Sequence, residues 1–431
     1  MIGPAVCIKV LGCRVNLYEA DALASAFQAA GATIVRNAPW DVAVLVSCAV
    51  TAEADRKSRQ AVRRFRRTEP HCIVVATGCW AQGLSDEEAR SLGIDLLVGN
   101  RCKGELVPSV LRMIQGEAVP SVRCDVCASS KWDPLVIDRP RFRTRAFLKV
   151  QDGCDHFCTY CIIPSVRGKP VSRSVEDVLQ EVRAVVDSGC SEVVLTGVHL
   201  GLYGRGSDET LATLLLNVAS VPGVSRIRLG SLEPFSVGDD LLRVMAETPQ
   251  FCRHLHLPLQ SGDDNVLRAM GRGHTRDQYL RLLERIRRLL GDDIHISTDV
   301  MVGFPGEDSQ AYESTLSVLR DGTLGRIHGF SYSPRSGTIA STMSNRPSRA
   351  LVEQRCRGVL DLGDTLLDRY ARRWLGRTVD VLVEEMLEGA ASGYTPQFLR
   401  CRAEGNCREG AFLRCRVERV DHGELRGQVV V

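Results

Sequence analysis

Short apolar runs and amphipathic stretches alternate along the first 118 residues. The runs VCIKVL, VAVLVS, CIVVAT and DLLVG have the length and the continuous hydrophobicity of buried parallel strands. The intervening stretches YEADALASAFQAAG, AEADRKSRQAVRRFRRT and SDEEARSLG place their apolar residues at helical spacing. A repeated strand–helix pattern of this kind predicts a small doubly wound parallel sheet over residues 1–118.

The alternation stops over residues 119–140, which we interpret as a linker, and resumes at longer spacing in residues 141–372. Six apolar runs stand there between helical patterns: RAFLKV, SEVVLTG, RIRLGS, HLHLPL, HISTDVMV and RIHGFSY. Six strand–helix units predict a partial (βα)6 barrel rather than a complete eightfold one. Functional residues of such barrels lie at the C-terminal ends of the strands.

The pattern changes again in residues 373–431. The runs RTVDVLVEE, FLRCRAEG, AFLRCRVERV and ELRGQVVV are strand-like and are separated by turn residues, which predicts a small all-β barrel. The predicted fold class is therefore α/β multidomain, with a doubly wound sheet, a partial barrel and a small β-barrel in that order.

Composition narrows the class of protein. The chain of 431 residues is 44% hydrophobic and 25% charged, which is typical of a soluble globular protein. No apolar run of about 18 residues predicts a membrane span, and the N-terminus MIGPAVCIKVLGC lacks the features of a secretory signal. We therefore expect a cytoplasmic protein, in which cysteine clusters are more often metal ligands or catalysts than disulfides.

Three of the 17 cysteines follow the first predicted barrel strand, in the loop QDGCDHFCTYCIIP: Cys154, Cys158 and Cys161. A structural zinc ion usually has four protein ligands, and a four-iron cluster has four metal corners. Three cysteines in one loop therefore leave one iron open to a small molecule, such as the amino and carboxylate groups of an amino acid. A zinc site that takes its fourth ligand from elsewhere is the alternative interpretation.

A second set of three cysteines is spread over the first block: Cys13, Cys48 and Cys79 each follow directly on a predicted strand. Because the C-terminal ends of parallel strands lie at one edge of a sheet, we expect these cysteines to converge there. For each of them alone, the alternative is a small buried hydrophobic residue. Cys7 and Cys72 open strands at the opposite edge and are interpreted as packing residues.

Both cysteine sets resemble motifs of the radical S-adenosylmethionine methylthiotransferases. The loop with Tyr160 before its last cysteine is similar to the radical S-adenosylmethionine signature, and LGCRVN, SCAVT and TGCWAQ resemble the three N-terminal cysteine motifs of the family. The stretches LTGVHLGLYG, HLHLPLQSGDDNVLRAMGRGHT, TDVMVGFPGE and FSYSPRSGT resemble its barrel motifs. GYTPQFLRC resembles part of its TRAM domain, an RNA-binding β-barrel. Ser47 stands where asparagine is common in the family and leaves the adjacent ligand intact.

The resemblance implies two [4Fe-4S] clusters, one on each cysteine set. The cluster on Cys154, Cys158 and Cys161 would cleave S-adenosyl-L-methionine to a radical that activates a substrate C–H bond. The cluster on the N-terminal cysteines would carry the sulfur that a second S-adenosyl-L-methionine methylates. The chemistry requires an electron donor such as flavodoxin or ferredoxin, and the motifs leave the sulfur source open. We expect a monomer.

The motifs LGCRVN, SCAVT and LTGVHLGLYG resemble most the branch that acts on N6-threonylcarbamoyladenosine beside the tRNA anticodon. Its members add a methylthio group to C2 of N6-threonylcarbamoyladenosine at position 37, 3′ to the anticodon. The branch acting on N6-isopentenyladenosine more often has glutamine and methionine at the positions of Arg14 and Val15, and a third branch modifies an aspartate of a ribosomal protein. An iron–sulfur electron carrier and a zinc-dependent RNA-binding protein are the alternatives from other classes.

Polar residues at or just past the predicted barrel strand ends are candidates for contacting S-adenosyl-L-methionine. They are Thr196, Gly197, Glu233, Gln260 and Asp299. Gly197 begins a glycine-rich turn that could let the backbone approach a nucleoside, and the polar side chains have helix caps and loop anchors as their alternative role. His199, His254 and His256 are interpreted as structural histidines, and Cys124 and Cys127 are left without a role.

The formal net charge of +3 says little about partners, but its local distribution says more. Seven of the twelve residues from Arg56 to Arg67 are basic and none is acidic, whereas residues 375–431 hold eight arginines and nine acidic residues. A solvated helix face is the alternative to RNA binding for such a run. We predict contacts to tRNA phosphates from four of its arginines: Arg63, Arg64, Arg66 and Arg67.

Overall fold

The computed structural model describes residues 3–430, which begin with a five-stranded, all-parallel sheet in the order β2-β1-β3-β4-β5. Its strands are β1 (Ala5–Val10), β2 (Thr33–Val35), β3 (Val42–Ser47), β4 (Ile73–Gly78) and β5 (Leu96–Val98). Its helices are α1 (Arg14–Ala29), α2 (Ala52–Thr68), α3 (Cys79–Gly83), α4 (Asp86–Leu92) and α5 (Leu106–Ile114).

Helices cover both faces of this sheet. Val6 and Val44 pack toward α1 and α5, whereas Cys7 and Leu45, their neighbours along the strands, pack toward α2 and α4. Successive residues of a strand point to opposite faces, so strands buried on both sides are continuously apolar. The predicted parallel α/β sheet is confirmed. Strand β2 was not predicted, because its three residues are only half-buried or exposed.

Residues 115–145 contain no helix and no extended strand, and Val122 makes a single parallel bridge to Val98 at the end of β5. The next strands are β6 (Ala146–Lys149), β7 (Gln151–Asp152), β8 (Val171–Ser172), β9 (Glu192–Thr196), β10 (Arg226–Leu229), β11 (His254–His256), β12 (His295–Val302) and β13 (Arg326–Ser331). Their helices are α6 (Ile163–Arg167), α7 (Val175–Asp187), α8 (Leu211–Ala219), α9 (Asp239–Glu247), α10 (Asp264–Met270), α11 (Arg276–Leu290), α12 (Ser309–Asp321) and α13 (Arg349–Arg372).

Two three-stranded parallel sheets, β6-β9-β10 and β11-β12-β13, form the middle of the molecule. Single bridges join them between Ile227 and Phe251 and between Ser231 and His256. The six predicted barrel runs each contain one of these six strands. Helix α1 packs against β6 at one end of this row and α13 packs against β13 at the other.

Six buried charges join the N-terminal sheet to the barrel. They are Glu19, Lys103, Asp133, Lys149, Asp152 and Arg167, and we call them the six-charge cluster. Glu19 of α1 lies 3.2 Å from Lys103, 3.3 Å from Lys149 and 3.0 Å from Arg167. All six side chains are 3% exposed or less. Three carboxylates thus balance three cations in a region that water does not reach.

The C-terminal strands form a closed antiparallel barrel except for the parallel β16–β18 pair, in the order β14-β15-β16-β18-β17. They are β14 (Thr378–Leu387), β15 (Ala390–Tyr394), β16 (Arg400–Glu404), β17 (Phe412–Asp421) and β18 (Glu424–Val430). Strand β15 was not predicted, because its sequence AASGY is dominated by small residues. No helix among residues 3–430 has the length and apolar character needed to cross a membrane.

The loop between β15 and β16 docks under the six-stranded barrel. Arg228 of β10 donates to the carbonyl oxygens of Thr395 (3.3 Å) and Pro396 (3.1 Å). His295 of β12 donates from Nδ1 to the carbonyl oxygen of Gln397 at 2.6 Å. Arg226, the first residue of β10, donates to the Tyr394 carbonyl oxygen at 3.1 Å, and His295 is the first residue of β12. The loop therefore lies at the end of the barrel opposite to the C-terminal strand ends.

Replacing Glu19 by glutamine tests the six-charge cluster. Burial alone would raise the pKa of Glu19, but Arg167, Lys103 and Lys149 lower it from 4.5 to about 2. A carboxyl whose pKa is lower in the folded protein stabilises the fold above pH 4.5 and loses that effect as the pH falls toward 2. We expect E19Q to lower the free energy of unfolding at pH 7 by about 3 kcal/mol.

Urea unfolding of the metal-free protein at several pH values measures this effect. The difference between wild type and E19Q should shrink below pH 4.5. Glu53, whose side chain is 51% exposed and pairs with Arg56 on α2, supplies the matched control. E53Q should change stability little at any pH. If E19Q lowered the free energy of unfolding no more than E53Q does, the proposed contribution of the six-charge cluster to stability would be contradicted.

Candidate active site

The loop that carries Cys154, Cys158 and Cys161 runs from β7 to α6 and is anchored at Thr159. The Thr159 N–H donates to the Met270 carbonyl oxygen (2.9 Å) and its hydroxyl donates to that of Ala269 (2.8 Å). The Ala340 N–H donates to the Thr159 carbonyl oxygen at 2.8 Å. The end of α10 therefore holds the middle of the cysteine loop in place.

The three cysteines line one cavity of about 330 Å³, together with Cys127 of the linker. The His156 N–H faces the Cys154 sulfur at 3.5 Å, and the Ile163 N–H faces the sulfur of Cys161. In both cases the donor lies two residues after the cysteine. Hydrogen bonds from backbone N–H groups to cysteine sulfur stabilise the thiolate and tune the potential of a bound iron–sulfur cluster.

Without metal, the thiols of this loop are protonated at neutral pH. Burial raises the pKa of Cys154 to about 11 and that of Cys161 to about 12. Metal ligands are thiolates, so metal binding must release these protons. Arg272 lies beside the loop, donates to the Cys158 sulfur and the Tyr160 hydroxyl, each at 3.5 Å, and pairs with Glu233.

The three thiols of the loop border one shared cavity. Among residues 3–430, no three His, Cys, Asp or Glu side chains converge closely enough to hold one metal ion. In a [4Fe-4S] cluster each cysteine binds a separate iron, so the sulfurs border a shared space instead of meeting at a point. Three thiols around one cavity, with N–H donors and a cation beside them, are compatible with such a cluster.

The second set of cysteines converges at the C-terminal edge of the first sheet. Cys13 caps α1, Cys48 follows β3 and Cys79 begins α3 directly after β4. Two glycines allow this close approach. A Cβ on Gly12 (φ +126°) would lie 2.6 Å from the Cβ of Cys48, and a Cβ on Gly78 (φ +94°) would lie 2.5 Å from the Ser47 carbonyl oxygen. The Gly-Cys pairs in LGCRVN and TGCWAQ therefore have a steric origin.

Polar groups surround these sulfurs. Arg167 donates from Nε to the Cys79 sulfur at 3.0 Å, and the Cys13 thiol donates to Oδ1 of Asn16 at 3.1 Å. Burial, followed by the neighbouring Cys79 and Cys13, raises the pKa of Cys48 to about 12. Arg167 closes α6, the helix that follows the first cysteine loop, and thus connects the two cysteine sets.

A second, larger cavity of about 790 Å³ extends from this sheet edge into the barrel. Cys13, Cys48 and Cys79 line one side of it, and inward-facing residues of the barrel strands line the other. The strand register sets Ser231, His256, Ser297 and Arg326 in one layer and Asp299 and His328 in the next. Aliphatic side chains fill the interior of most parallel barrels, whereas these layers are polar and leave space.

The C-terminal barrel supplies the floor of this cavity. Phe398 (φ +61°) lines it and packs against His254, with their rings 5.0 Å apart. Three guanidinium groups surround the Phe398 ring: those of Arg14, Arg145 and Arg228 lie 5.9, 5.2 and 4.8 Å from its centre. Arg145 and Arg228 also pair with Glu192.

The five residues predicted to contact S-adenosyl-L-methionine fall in three places. Thr196, Gly197 and Asp299 line the larger cavity. Glu233 pairs with Arg272 next to the first cysteine loop. Gln260 (φ +69°) is buried, and its Oε1 has no hydrogen-bond partner within residues 3–430. Only Glu233 is therefore held next to the first cysteine loop, and contact with the cofactor stays a prediction for all five.

Two of the three histidines interpreted as structural line the larger cavity, and Nδ1 of one of them, His254, is buried without a hydrogen-bond partner within residues 3–430. The third, His199, has its Nδ1 3.6 Å from the Cys154 sulfur. His254 and His256 share the Ser297 hydroxyl at 3.0 and 2.9 Å, and His256 lies 3.2 Å from Asp299. Sequence reasoning missed the polar barrel interior to which they belong. The period-two alternation of polar residues in HLH, HISTD and RIH carries that signal, because alternate residues of a strand share one face.

The sequence analysis also did not identify Arg326 and His328 of β13 as candidate site residues. Burial and the charge of His256, followed by those of Arg326 and Arg14, lower the pKa of His328. His328 therefore lies within electrostatic reach of both arginines, and all three line the larger cavity.

The four arginines predicted to bind tRNA differ in their surroundings. Arg63, Arg64 and Arg67 are exposed and make no ion pair with another residue of 3–430. Arg66 pairs with Asp95 at 2.5 Å and donates to the Cys72 carbonyl oxygen at 2.7 Å, which ties α2 to the starts of β4 and β5. Helix α2 begins near the cysteine edge, but these four residues lie at its other end.

Comparison with known proteins identifies the fold. Residues 148–319 match the Radical SAM superfamily, and residues 5–99 match a family described as Uncharacterized protein family UPF0004. The structure is similar to the radical S-adenosylmethionine methyltransferase TsrM from Kitasatospora setae, with a TM-score of 0.58 at 14% identity over 79% of this chain and 77% of that one. The protein thus has the α/β fold of radical S-adenosylmethionine proteins, with parallel sheets.

Three relatives define the family more closely, and each is named threonylcarbamoyladenosine tRNA methylthiotransferase MtaB. The protein from Thermotoga maritima is 33% identical over 95% of this chain and 94% of its own. Those from Chlamydia pneumoniae and Bacillus subtilis are 34% and 32% identical over 97% and 93% of this chain, and over 97% and 90% of their own. The chain belongs to the radical S-adenosylmethionine methylthiotransferase family and is an enzyme of that type. Its cofactors are those of the family, [4Fe-4S] clusters and S-adenosyl-L-methionine.

Replacing Arg272 by methionine tests the electrostatics of the first cysteine loop. Loss of a cation 3.5 Å from Cys158 disfavours the reduced, more negative cluster and leaves Glu233 unpaired. We expect R272M to lower the midpoint potential of the cluster by an amount on the order of tens of millivolts. Redox titration followed by electron paramagnetic resonance measures it, in a background with Cys13, Cys48 and Cys79 changed to alanine.

Arg268 provides the matched control for this experiment. It is exposed on α10 and bonds to Asn265, away from the sulfurs. R268M should leave the potential unchanged. Equal potentials in R272M and wild type would contradict an electrostatic role of Arg272 at the cluster.

Proposed function

We propose that the enzyme adds a methylthio group to C2 of N6-threonylcarbamoyladenosine at position 37 of tRNA, 3′ to the anticodon. The observation that carries the proposal is the larger cavity, which Cys13, Cys48 and Cys79 border on one side and the polar interior of the radical barrel on the other. The relatives reported above are all named for this nucleoside in tRNA, which supports it over isopentenyladenosine or a ribosomal-protein aspartate.

In this proposal Cys154, Cys158 and Cys161 hold one [4Fe-4S] cluster, and S-adenosyl-L-methionine binds beside it. Cys13, Cys48 and Cys79 hold the second. When bound, these groups supply the one-electron chemistry and the sulfur that a carbon without electrophilic character requires. A reductant such as flavodoxin or ferredoxin would provide the electrons.

The residues of the chain have three tasks around these groups. Arg167 neutralises charge at Cys79 through its hydrogen bond of 3.0 Å and keeps the N-terminal set next to the barrel. The polar layers of β11, β12 and β13 offer hydrogen-bonding partners to a nucleoside. Phe398 closes the floor and keeps water from a reactive radical. At about 790 Å³ the cavity is within the size range of sites for small molecules.

An unpaired base is the form of RNA that can enter such a cavity. Proteins read single-stranded loops by splaying out bases, and enzymes that modify a base take it out of the stack. Position 37 belongs to the anticodon loop and can be presented in this way. We also propose that the closed C-terminal barrel, residues 373–431, is a TRAM domain that contacts the RNA. The boundaries 1–118, 119–140 and 141–372 for the preceding parts belong to the same proposal.

A basic cavity of about 620 Å³ beside β1 supports RNA binding near the N-terminal sheet. Five of the cations that line it make no ion pair within residues 3–430: Lys9, Arg36, Arg64, Arg139 and Arg143. Trp40 and Phe142 line the same cavity and offer apolar surface. Cations without carboxylate partners next to aromatic rings suit a nucleic acid backbone with exposed bases.

The two cysteine sets provide the test of the proposed function. Enzyme reconstituted with iron and sulfide is incubated with S-adenosyl-L-methionine, a reductant and tRNA that contains N6-threonylcarbamoyladenosine. Changing Cys154, Cys158 and Cys161 to alanine should abolish the formation of 5′-deoxyadenosine and leave about half of the iron, since one cluster in two remains. Changing Cys13, Cys48 and Cys79 should leave cleavage measurable and stop methylthiolation.

Chromatography of cleavage products and mass spectrometry of tRNA nucleosides give the two readouts. The absence of a methylthio product with the wild-type enzyme would overturn the proposed substrate. Cleavage that survives loss of Cys154, Cys158 and Cys161 would overturn the assignment of the first loop. Loss of all iron in the N-terminal variant would indicate one shared site instead of two.

Replacing the unpaired arginines of α2 tests the RNA contact. Arg63, Arg64 and Arg67 changed together to glutamine should weaken tRNA binding, and each lost phosphate contact should reduce the slope of log affinity against log salt by roughly 0.7 to 0.9. Filter binding at several salt concentrations measures the slope. Arg56 lies on the same helix but is paired with Glu53 at 2.6 Å, so R56Q is the matched control. An unchanged slope would show that the basic residues of α2 form an ordinary solvated helix face and do not bind RNA.

A further inference from the structure

The larger cavity contains an excess of positive charge. Apart from histidines and cysteines, its charged lining residues are Arg14, Arg167, Arg326 and Asp299. Arg167 is paired with Glu19 and Asp152, and Asp299 lies 3.2 Å from His256. Within residues 3–430, this leaves the guanidinium groups of Arg14 and Arg326 without a carboxylate partner.

Arg14 and Arg326 form no ion pair and no side-chain hydrogen bond with any of residues 3–430. Both are half-buried. An arginine side chain in a confined site is normally bonded to a carboxylate, a phosphate or carbonyl oxygens, because the loss of hydration is otherwise uncompensated. The other arginines around the floor follow this rule. Arg228, for example, pairs with Glu192 and donates to two backbone carbonyl oxygens.

The positions of the two arginines define where an anion would bind. Arg14 is the first residue of α1, directly after Cys13, and its guanidinium lies 5.9 Å from the centre of the Phe398 ring. Arg326 stands in the layer of Ser297 and His256 on the barrel wall. An anion between them would lie inside the barrel, close to the N-terminal cysteine set.

We propose that Arg14 and Arg326 bind the carboxylate of the threonylcarbamoyl group and thereby select this nucleoside. The inference rests on the proposed function. In adenine only one ring nitrogen separates C2 from the carbon that bears N6, so a base with C2 toward Cys13, Cys48 and Cys79 has its N6 substituent nearby. A guanidinium binds a carboxylate through two parallel hydrogen bonds, which fixes orientation as well as charge. The threonyl hydroxyl would find polar partners in the Ser297 layer.

The carboxylate of the substrate can be removed chemically without changing the rest of the base. tRNA with the threonylcarbamoyl carboxyl converted to its methyl ester keeps the size of the group and loses the charge. We expect R14Q to lower kcat/KM for the acid form by about 10- to 100-fold, as for loss of a charged hydrogen-bonded pair. For the ester form, wild type and R14Q should agree within about twofold, since the charge that Arg14 reads is already absent. R326Q should show the same pattern.

Two further variants make the result specific. R14K keeps the charge but loses the paired geometry, so it should recover part of the discrimination between acid and ester. Arg90 is exposed on α4, outside the cavity, and R90Q should discriminate as wild type does. Should R14Q fail to assemble its clusters, the wild-type enzyme alone still tests the proposal, which requires it to prefer the acid over the ester by at least about 10-fold.

Other anions define the outcomes that overturn the proposal. An equal loss with acid and ester would show that Arg14 does not read the carboxylate. Weaker binding of S-adenosyl-L-methionine by R14Q in equilibrium dialysis, with no acid–ester difference, would assign the site to the carboxylate of that cofactor. A reduced salt slope of tRNA binding would assign it to a phosphate. If wild type forms no methylthio product on either tRNA, the proposed function itself fails, which is distinct from all of these.

Discussion

The six-charge cluster is the interaction on which the rest of the site depends. A buried ion pair contributes little net stability, because desolvation offsets the attraction, but breaking it is costly and its geometry is therefore strict. In this protein, one residue of the cluster also fixes the geometry at the N-terminal cysteine set. Arg167 pairs with Glu19 and Asp152 and donates to the Cys79 sulfur, although it belongs to the helix after the other cysteine loop. The separation of the two cysteine sets is thus fixed by balanced charge.

The same property of parallel sheets creates both cysteine sets. Loops at the C-terminal ends of parallel strands are free of the ladder and share one side of the sheet, so residues distant in sequence can meet there. Cys48 and Cys79 follow adjacent strands whose last residues, Ser47 and Gly78, are paired in register. Cys154 likewise follows the first strand of the barrel. The two sets border separate cavities, and Arg167 of the six-charge cluster lies between them, because it lines the cavity of the N-terminal set and belongs to the helix that follows the other cysteine loop.

Features with local signals could be predicted from the sequence, and features that depend on distant residues could not. Continuous apolar runs predicted the buried strands, and Cys154, Cys158 and Cys161 lie within one loop motif. The convergence of Cys13, Cys48 and Cys79 followed from the rule that parallel strands end at one edge of a sheet. Strand β15 was missed because AASGY has no hydrophobic pattern. The basic run did not reveal that Arg66 pairs with Asp95, 29 residues away, and RNA contact by Arg66 stays a prediction. Arg14 contacts Phe398, which lies near the other end of the chain, and no periodic pattern in the sequence predicts this contact.

The docking of the C-terminal barrel has an electrostatic reason that involves the active site. Arg145, Arg226 and Arg228 surround the single carboxylate of Glu192 at the bottom of the radical barrel, and Glu384 reaches Arg145 from β14. One cation remains in excess. The carbonyl oxygens of residues 394–396 accept hydrogen bonds from Arg226 and Arg228 and so solvate that excess without a further carboxylate. A loop held in this way places Phe398 under the cavity. The C-terminal barrel therefore completes the chamber in which the proposed chemistry occurs, in addition to any contact with RNA.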